Sequence, residues 1–258
     1  ATGVYLAGLV GQGANARNDA MVFLSPTLTD ATVTKTAAAM TTTKTTYGSN
    51  NYVVMDGAWK YQYDRYRDVF FYCPMNGDIA GLCARTDFTN DAWWSPAGLT
   101  RGAIKNIVKL SWEATKANRD TMYPLSINPI ITQTGAGVVL WGDKTMQVVP
   151  SAFDRINVRR LVIYLKKQIS IISAQILFEQ NVQATWNRFK SLVEPFLANV
   201  KTRFGITDYR LVLDESTTTP DLIDQNILYA KIMIKPARAI EFIAIDFVIM
   251  STGASFDD

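Results

Sequence analysis

Between Val158 and Phe204 the apolar side chains fall at helical spacing twice over, and this double stripe constrains the fold more than any other feature of the chain. Val158, Leu161, Val162, Leu165, Ile169, Ile172 and Ile176 advance by threes and fours, marking one face of a first helix. Trp186, Phe189, Leu192, Val193, Phe196, Leu197, Val200 and Phe204 mark a second. Asn157 and Thr185 are placed to cap the two N-termini. Gly205 is placed to end the second helix in a left-handed conformation, and Pro195 predicts a kink or break within it.

Two adjacent amphipathic helices need a common layer to cover, and the sequence offers one downstream. Tyr209–Leu213 alternates like a strand, and Leu228, Ala230, Ile232 and Ile234 share one face of a long extended run, Ile227–Lys235. A second run, Ile240–Met250, is apolar on both faces, so both are covered: one layer by the helical pair, the other from elsewhere in the chain or from a neighbour.

Upstream the pattern mixes strands and helices. Met21–Leu24 and Tyr52–Met55 read as short buried strands, and Trp59, Tyr61 and Tyr63 alternate before "DRYR" leads into Val69–Cys73, a predicted hairpin. Asp30 is placed to open a helix to about Met40, followed by a Thr-rich loop; Asn76-Gly77-Asp78 opens a short helix to Ala84. "WWSPAGLTRG" is an irregular connection, while the apolar runs around "QTGAG" predict another hairpin. The expected fold class is α/β or α+β, with mixed sheets flanked by helices. Residues 1–125 form an α/β unit, and residues 126–258 a unit with a helical pair packed on antiparallel strands.

Composition narrows function by exclusion. The 258 residues contain no histidine, which removes the commonest acid–base catalyst, the commonest metal ligand and every nucleophile–His pair. Cys73 and Cys83 cannot complete a zinc site alone and read as reduced packing residues. "GQGANA" and "TGAG" lack the Lys and Ser/Thr of a phosphate loop and read as turns. Asp214-Glu215 and Asp221 with Asp224 sit in a Thr/Pro-rich loop and read as solvated, and Trp93-Trp94 suits packing or a protein contact. No catalytic, cofactor or metal site is expected. No apolar run reaches the ~20 residues that span a bilayer. The net charge of +3 is too small to imply nucleic acid.

Charge is nevertheless uneven. Residues 151–210 carry 10 Lys and Arg against 4 acids, and residues 211–258 carry 3 against 8. The helical pair contributes Arg155, Arg159, Arg160, Lys166, Lys167, Arg188, Lys190, Lys201 and Arg203, mostly without acids at i+4 spacing to neutralise them. That favours a docking face for an acidic partner. The chain opens Ala-Thr-Gly-Val-Tyr and is read as a piece of a longer protein.

Three separated stretches, in order, resemble one family. "GDIAGLCARTDFTNDAWWSPAGLTRGAI" (Gly77–Ile104), "LFEQNVQATWNRFKSLVEPFLANVKTRFGITDY" (Leu177–Tyr209) and "DLIDQNILYAKIMIKPARAIEFIAIDFV" are similar to signatures of tail sheath proteins from contractile-tailed bacteriophages, of the T-even and giant-phage type. The resemblance implies a subunit that stacks as six-fold rings around a tail tube and shortens on a baseplate signal to drive the tube through the host envelope. It implies tube, baseplate and tail terminator proteins as partners, no cofactor, and a virion tail assembled in the bacterial cytoplasm. It further implies neighbour arms that add strands to the C-terminal sheet, with Ile240, Phe242, Ala244, Asp246 and Val248 as the candidate inter-subunit strand. Arg159, Arg160, Lys166, Lys167, Lys201 and Arg203 are the candidate tube-facing residues. Subunits of that family are normally longer, and their outer domains and N-terminal arm are not recognisable here, so this chain alone is expected to be monomeric or weakly associating. Two other readings stand beside this one: the sheath of a phage-tail-like bacteriocin or injection system, and an α/β ligand-binding enzyme domain using Asp or Glu with Cys or Lys.

Overall fold

Why the apolar runs of the first hundred residues are short becomes plain in the computed structural model, which describes residues 2–11, 16–31 and 44–241. Each run is one short strand in a small sheet. Following helix α1 (Thr2–Gly11), β1 (Val22–Leu24) pairs in parallel with β2 (Val53–Met55), whose three side chains are all buried. β3 (Trp59–Asp64) and β4 (Val69–Pro74) form the predicted antiparallel hairpin, and β5 (Lys109–Leu110) pairs on the other side of β3. Helix α2 (Asn76–Thr89) buries Ile79, Leu82, Cys83 and Thr86, a stripe at helical spacing. It runs past Ala84, where the sequence predicted its end, because its buried face continues to Thr86, whose hydroxyl donates to the Leu82 carbonyl at 2.8 Å. Helix α3 (Lys116–Met122), capped by Thr115, is not predicted from the sequence. β6 (Ile130–Gln133) and β7 (Gly137–Leu140) form the second predicted hairpin; the turn between them places Gly135 and Gly137 at φ 83° and 74°, where a side chain would be strained.

A buried polar pin fastens these pieces. The Asn128 amide donates to the Met55 carbonyl at 3.1 Å and the Lys144 carbonyl at 2.8 Å, and its oxygen accepts from Lys144 N–H at 2.8 Å. The first core continues past residue 125 and includes Ile127, Ile130, Leu140, Met146 and Ile156. Both cysteines are free.

The second core is the helical pair on a ribbon. Helices α4 (Ile156–Ala174) and α5 (Gln183–Thr202) cover β8 (Ile206–Val212) and β9 (Lys231–Pro236), an antiparallel pair, with a short helix α6 (Pro220–Asp224) in the connection. Leu161, Leu165, Trp186, Phe189, Val193, Leu197 and Val200 are buried there, with Ile169, Ile172 and Ile176 packed at the margin, as the stripe requires. Leu228, Ala230, Ile232 and Ile234 face the same layer, although the regular strand begins only at Lys231.

The helix ends differ from the sequence expectation. Asn157 lies inside α4, after Arg155 at the cap position, and its amide donates to the Trp93 carbonyl at 3.4 Å. Thr185 lies inside α5, and its hydroxyl donates back to the Gln180 carbonyl at 2.7 Å. Pro195 does not break α5. A proline costs a helix interior about 3 kcal/mol, but Val193 and Leu197 on either side are wholly buried and hold the axis while Pro195 itself faces solvent.

At the C-terminus of α5 the left-handed residue is Phe204 (φ 62°), not Gly205. Gly205 N–H donates to the Val200 carbonyl and Phe204 N–H to the Lys201 carbonyl, the two bonds of a Schellman closure. The glycine is required for a different reason: a Cβ there would lie 2.7 Å from Val200 Cγ1 and 2.9 Å from Trp93 Cδ2. Gly205→Ala is therefore expected to cost about 1–3 kcal/mol by overpacking. Urea denaturation measures this, and a change under 0.5 kcal/mol would show the contact to be slack.

Candidate assembly surface

Residues directly opposite each other in a two-stranded ribbon point the same way, so the register of β8 and β9 assigns its faces. Tyr209 opposite Ile234 and Leu211 opposite Ile232 face the helices. Asp208, Arg210 and Val212, opposite Lys235, Met233 and Lys231, form the outer face. Among the described residues no third strand pairs with the outer edge of either β8 or β9. Both edges present unpaired backbone donors and acceptors, which is the arrangement that accepts an added strand.

The six basic residues singled out from the sequence do not form one surface. Arg159 and Arg160 are buried, a correction to the expected exposed face. The Arg159 guanidinium lies over the rings of Tyr52 and Phe153 at 4.2 and 3.9 Å, and donates to the Tyr52 hydroxyl at 3.1 Å. Arg160 donates to the Cys83 carbonyl and pairs with Asp87. Both cations fasten α4 onto the first core. They lie at the start of the helix, where it crosses from one core to the other, so an outward-facing helical wheel does not apply to them. Lys166, Lys167, Lys201 and Arg203 are exposed. Lys201 pairs with Asp208 at 3.2 Å and Arg203 with Asp91 at 2.6 Å. Asp208 lies seven residues on, in β8, and Asp91 far back in the chain, so i+4 spacing did not reveal either. Of the candidate strand, Ile240 is exposed and lies in no regular strand. Phe242, Ala244, Asp246 and Val248 lie outside the described residues, as does the expected helix from Asp30 beyond Ala31.

Trp93, Trp94 and Trp141, with Tyr123 and Glu241, line a cavity of about 880 Å³ between the first core and the chain that follows β9. "WWSP" was the visible signal for this place. Glu241 accepts from the Tyr123 hydroxyl at 2.5 Å and from Arg155 at 2.8 Å, which clasps the chain after β9 to the first core. Burial, then the bond to Glu241, pushes the Tyr123 hydroxyl well above its usual range. Burial raises the Asp143 carboxyl to about 7, against the pull of the Ser95 hydroxyl and the guanidiniums of Arg155 and Arg160. Asp56, buried under Ser25 in the first core, is raised by burial to about 8. The carboxylates of the Thr/Pro-rich loop are exposed, as read from the sequence; Asp214 accepts from Ser216 N–H in its own turn. Among the described residues no group of three or more His, Cys, Asp and Glu is disposed to hold a metal ion.

Two family models match consecutive parts of the chain: the phage tail sheath protein central domain over residues 5–146 and the phage tail sheath C-terminal domain over residues 148–250. The tail sheath protein of Enterobacteria phage T4 is 44% identical over 95% of this chain, which spans 39% of that protein. The tail sheath protein of Vibrio phage KVP40 is 47% identical over 81% of this chain and 31% of its own length. Among solved structures, a chain of the anti-feeding prophage baseplate superposes with TM-score 0.77 at 20% identity, covering 96% of this chain and 64% of that one. The anti-feeding prophage helical sheath in its contracted state gives 0.73 at 22%, covering 88% and 61%. These two likenesses establish a common fold.

Two measurements check the burial assignments. Arg159→Glu with Arg160→Glu is expected to cost at least about 3 kcal/mol, since each leaves a buried charge unpaired. Lys166→Glu with Lys167→Glu is expected to stay within about 0.5 kcal/mol, as exposed substitutions do. Equal melting temperatures for the two pairs would refute the assignment. The raised carboxyls set a pH dependence as well. Each contributes fully when protonated, below its unfolded value of 3.8, and that contribution is lost as pH rises toward about 7 for Asp143 and about 8 for Asp56. Relative to the parent, Asp143→Asn and Asp56→Asn should gain stability as pH rises over those windows and level off above them. A pH-independent difference in melting temperature contradicts this.

Proposed function

This chain belongs to the phage tail sheath family, and from that premise we propose that it is the core of a structural subunit of a contractile tail sheath. The subunit stacks in hexameric rings around a tail tube and changes its packing to drive the tube through a host envelope. Other sheath subunits, the tube protein, and baseplate and terminator proteins are its partners; the virion tail, assembled in the host cytoplasm, is its place. Work comes from exchanging one set of protein contacts for another.

The observation that carries this reading is the β8–β9 ribbon, braced on one face by two helices and, among the described residues, unpaired along both edges. Strands supplied by neighbours would hold subunits together by main-chain hydrogen bonds while side-chain surfaces slide. Such links persist through a change of packing that would tear a side-chain interface apart. The exposed cations Lys166, Lys167, Lys201 and Arg203 are assigned to an acidic tube surface, with Arg159 and Arg160 withdrawn from that role. An exposed charge pair contributes about 0–1 kcal/mol, weak enough to hold register and then release. A two-state element needs only about 5.5 kcal/mol to pass from 1:99 to 99:1, and a polymer multiplies each subunit's share.

A second reading, the sheath of a bacteriocin or injection system, is favoured by the two solved structures. Their 20% and 22% identities stand against 44% and 47% for the phage sheath proteins, so the phage tail is preferred.

Electron microscopy of the full-length protein tests the proposal. Striated tubes of uniform diameter are expected, longer and better ordered when tail tube is added. Monodisperse monomers at every protein and salt concentration would sink it.

A further inference from the structure

The ribbon carries opposite charge at its two ends. Where β8 stops and β9 starts, residues 213–230 contain Asp214, Glu215, Asp221 and Asp224 and no Lys or Arg. Asp214 is taken up by its turn with Ser216 and Thr217 and by the nearby charge of Lys190. Glu215, Asp221 and Asp224 are exposed and make no ion pair among the described residues.

At the other end, where β9 stops and β8 starts, lies the cavity of about 880 Å³, its lining reaching Phe204 on one side and Ala237–Glu241 on the other. Its cations are Arg101, Lys116, Arg119 and Arg238. Arg101 donates to the Ser95 carbonyl and lies 5.1 Å over the Trp94 ring; Arg119 donates to the Ala114 carbonyl. Lys116 and Arg238 are exposed, and none of the four pairs with an acid among the described residues. Of the three acids in the lining, Glu241 is matched by Arg155, Asp143 is buried, and Asp120 is exposed. The rim is net basic.

We propose that this basic, tryptophan-lined cavity receives the acidic 213–230 connection of a second copy of the chain. Seven residues of β8 at about 3.3 Å each put the two charged ends roughly 20 Å apart. Ends of opposite charge can meet reciprocally across a two-fold axis and close a dimer, or head to tail, which leaves a free end of each kind and propagates as a ring or helix. The sheath reading selects the head-to-tail arrangement. Leu222, flanked by the acids and not among the side chains packed on the second core, is the apolar group placed to meet the tryptophans while the charges stay at the rim. Complementary rims set register and encounter rate more than affinity. This contact is separate from the open ribbon edges, and it rests on the sheath reading above.

Charge swapping in the full-length protein decides the matter. Lys116→Glu with Arg238→Glu, and separately Asp221→Lys with Asp224→Lys, should each raise the critical concentration for polymer formation about tenfold. The protein carrying all four changes should return to within about threefold of the parent, because the reversed ends attract again. All the substituted residues are exposed, and circular dichroism with thermal melting confirms folding. The milder pairs Lys116→Gln with Arg238→Gln and Asp221→Asn with Asp224→Asn serve where a reversal fails to fold, with a smaller rise expected. Parent-like assembly of both reversals overturns the contact, and so does a quadruple variant no better than its components. Loss confined to the cavity reversal also overturns it, in favour of a different acidic partner. These results leave the sheath reading intact, whereas failure of the parent itself to polymerise removes both.

Discussion

Trp93 stands in the first unit by chain position and in the second by packing, and much of the molecule's coherence runs through that substitution of one for the other. Its ring is buried against α4 and α5, its indole N–H donates to the Arg203 carbonyl at 2.9 Å, and its own carbonyl accepts from Asn157. A large aromatic group with a satisfied polar edge is well suited to such a junction. Around it, Arg160 reaches back to Asp87 and Cys83, Arg203 reaches Asp91, and Arg159 is enclosed by Tyr52 and Phe153. Buried Arg159 and Arg160 join the two cores through aromatic, carbonyl and carboxylate partners, with exposed Arg203 at the margin. Removing a partner of either buried cation leaves a charge without solvent, which makes the joint costly to open.

What could be read from the residues divides along local and non-local lines. The helical stripes, the two hairpins and the inward face of β9 depend on periodicity within a dozen residues, and the observed elements follow them. The helix ends do not, because each is decided by contacts far along the chain. Asn157 is recruited by Trp93, Thr185 bonds back to Gln180, and Gly205 is needed for clearance under Trp93 while Phe204 takes the left-handed conformation. The basic face illustrates the same limit. Counting Lys and Arg located a region rich in cations, but their acidic partners Asp87, Asp91 and Asp208 lie outside the helices that carry the cations, where i+4 spacing does not reach. The cavity was foreshadowed only by its paired tryptophans; Trp141, Tyr123 and Glu241 carry no sequence pattern that would bring them together.

Histidine is wholly absent, yet two carboxyls are raised by burial into the range histidine ordinarily occupies. Asp56 is sealed in the first core, fixed by Ser25 and the Ala58 backbone, while Asp143 lines the cavity beside Tyr123 and Glu241. A perturbed carboxyl is a pointer to catalysis only when a substrate can reach a partner beside it. Here the perturbation reflects how tightly the first core closes, and its cost is borne as stability.

If neighbours add strands to the ribbon as proposed, its edges, unpaired among the described residues, have an evolutionary corollary. A strand gripped through its peptide groups is held almost regardless of which side chains it carries, so an arm and its dock can mutate independently without losing hold of each other. Side-chain matching is then demanded chiefly inside the ribbon itself, where Ile232 and Ile234 lie opposite Leu211 and Tyr209 under the helices. Divergent lineages could thus preserve the linkage while their outer surfaces drift to suit new hosts.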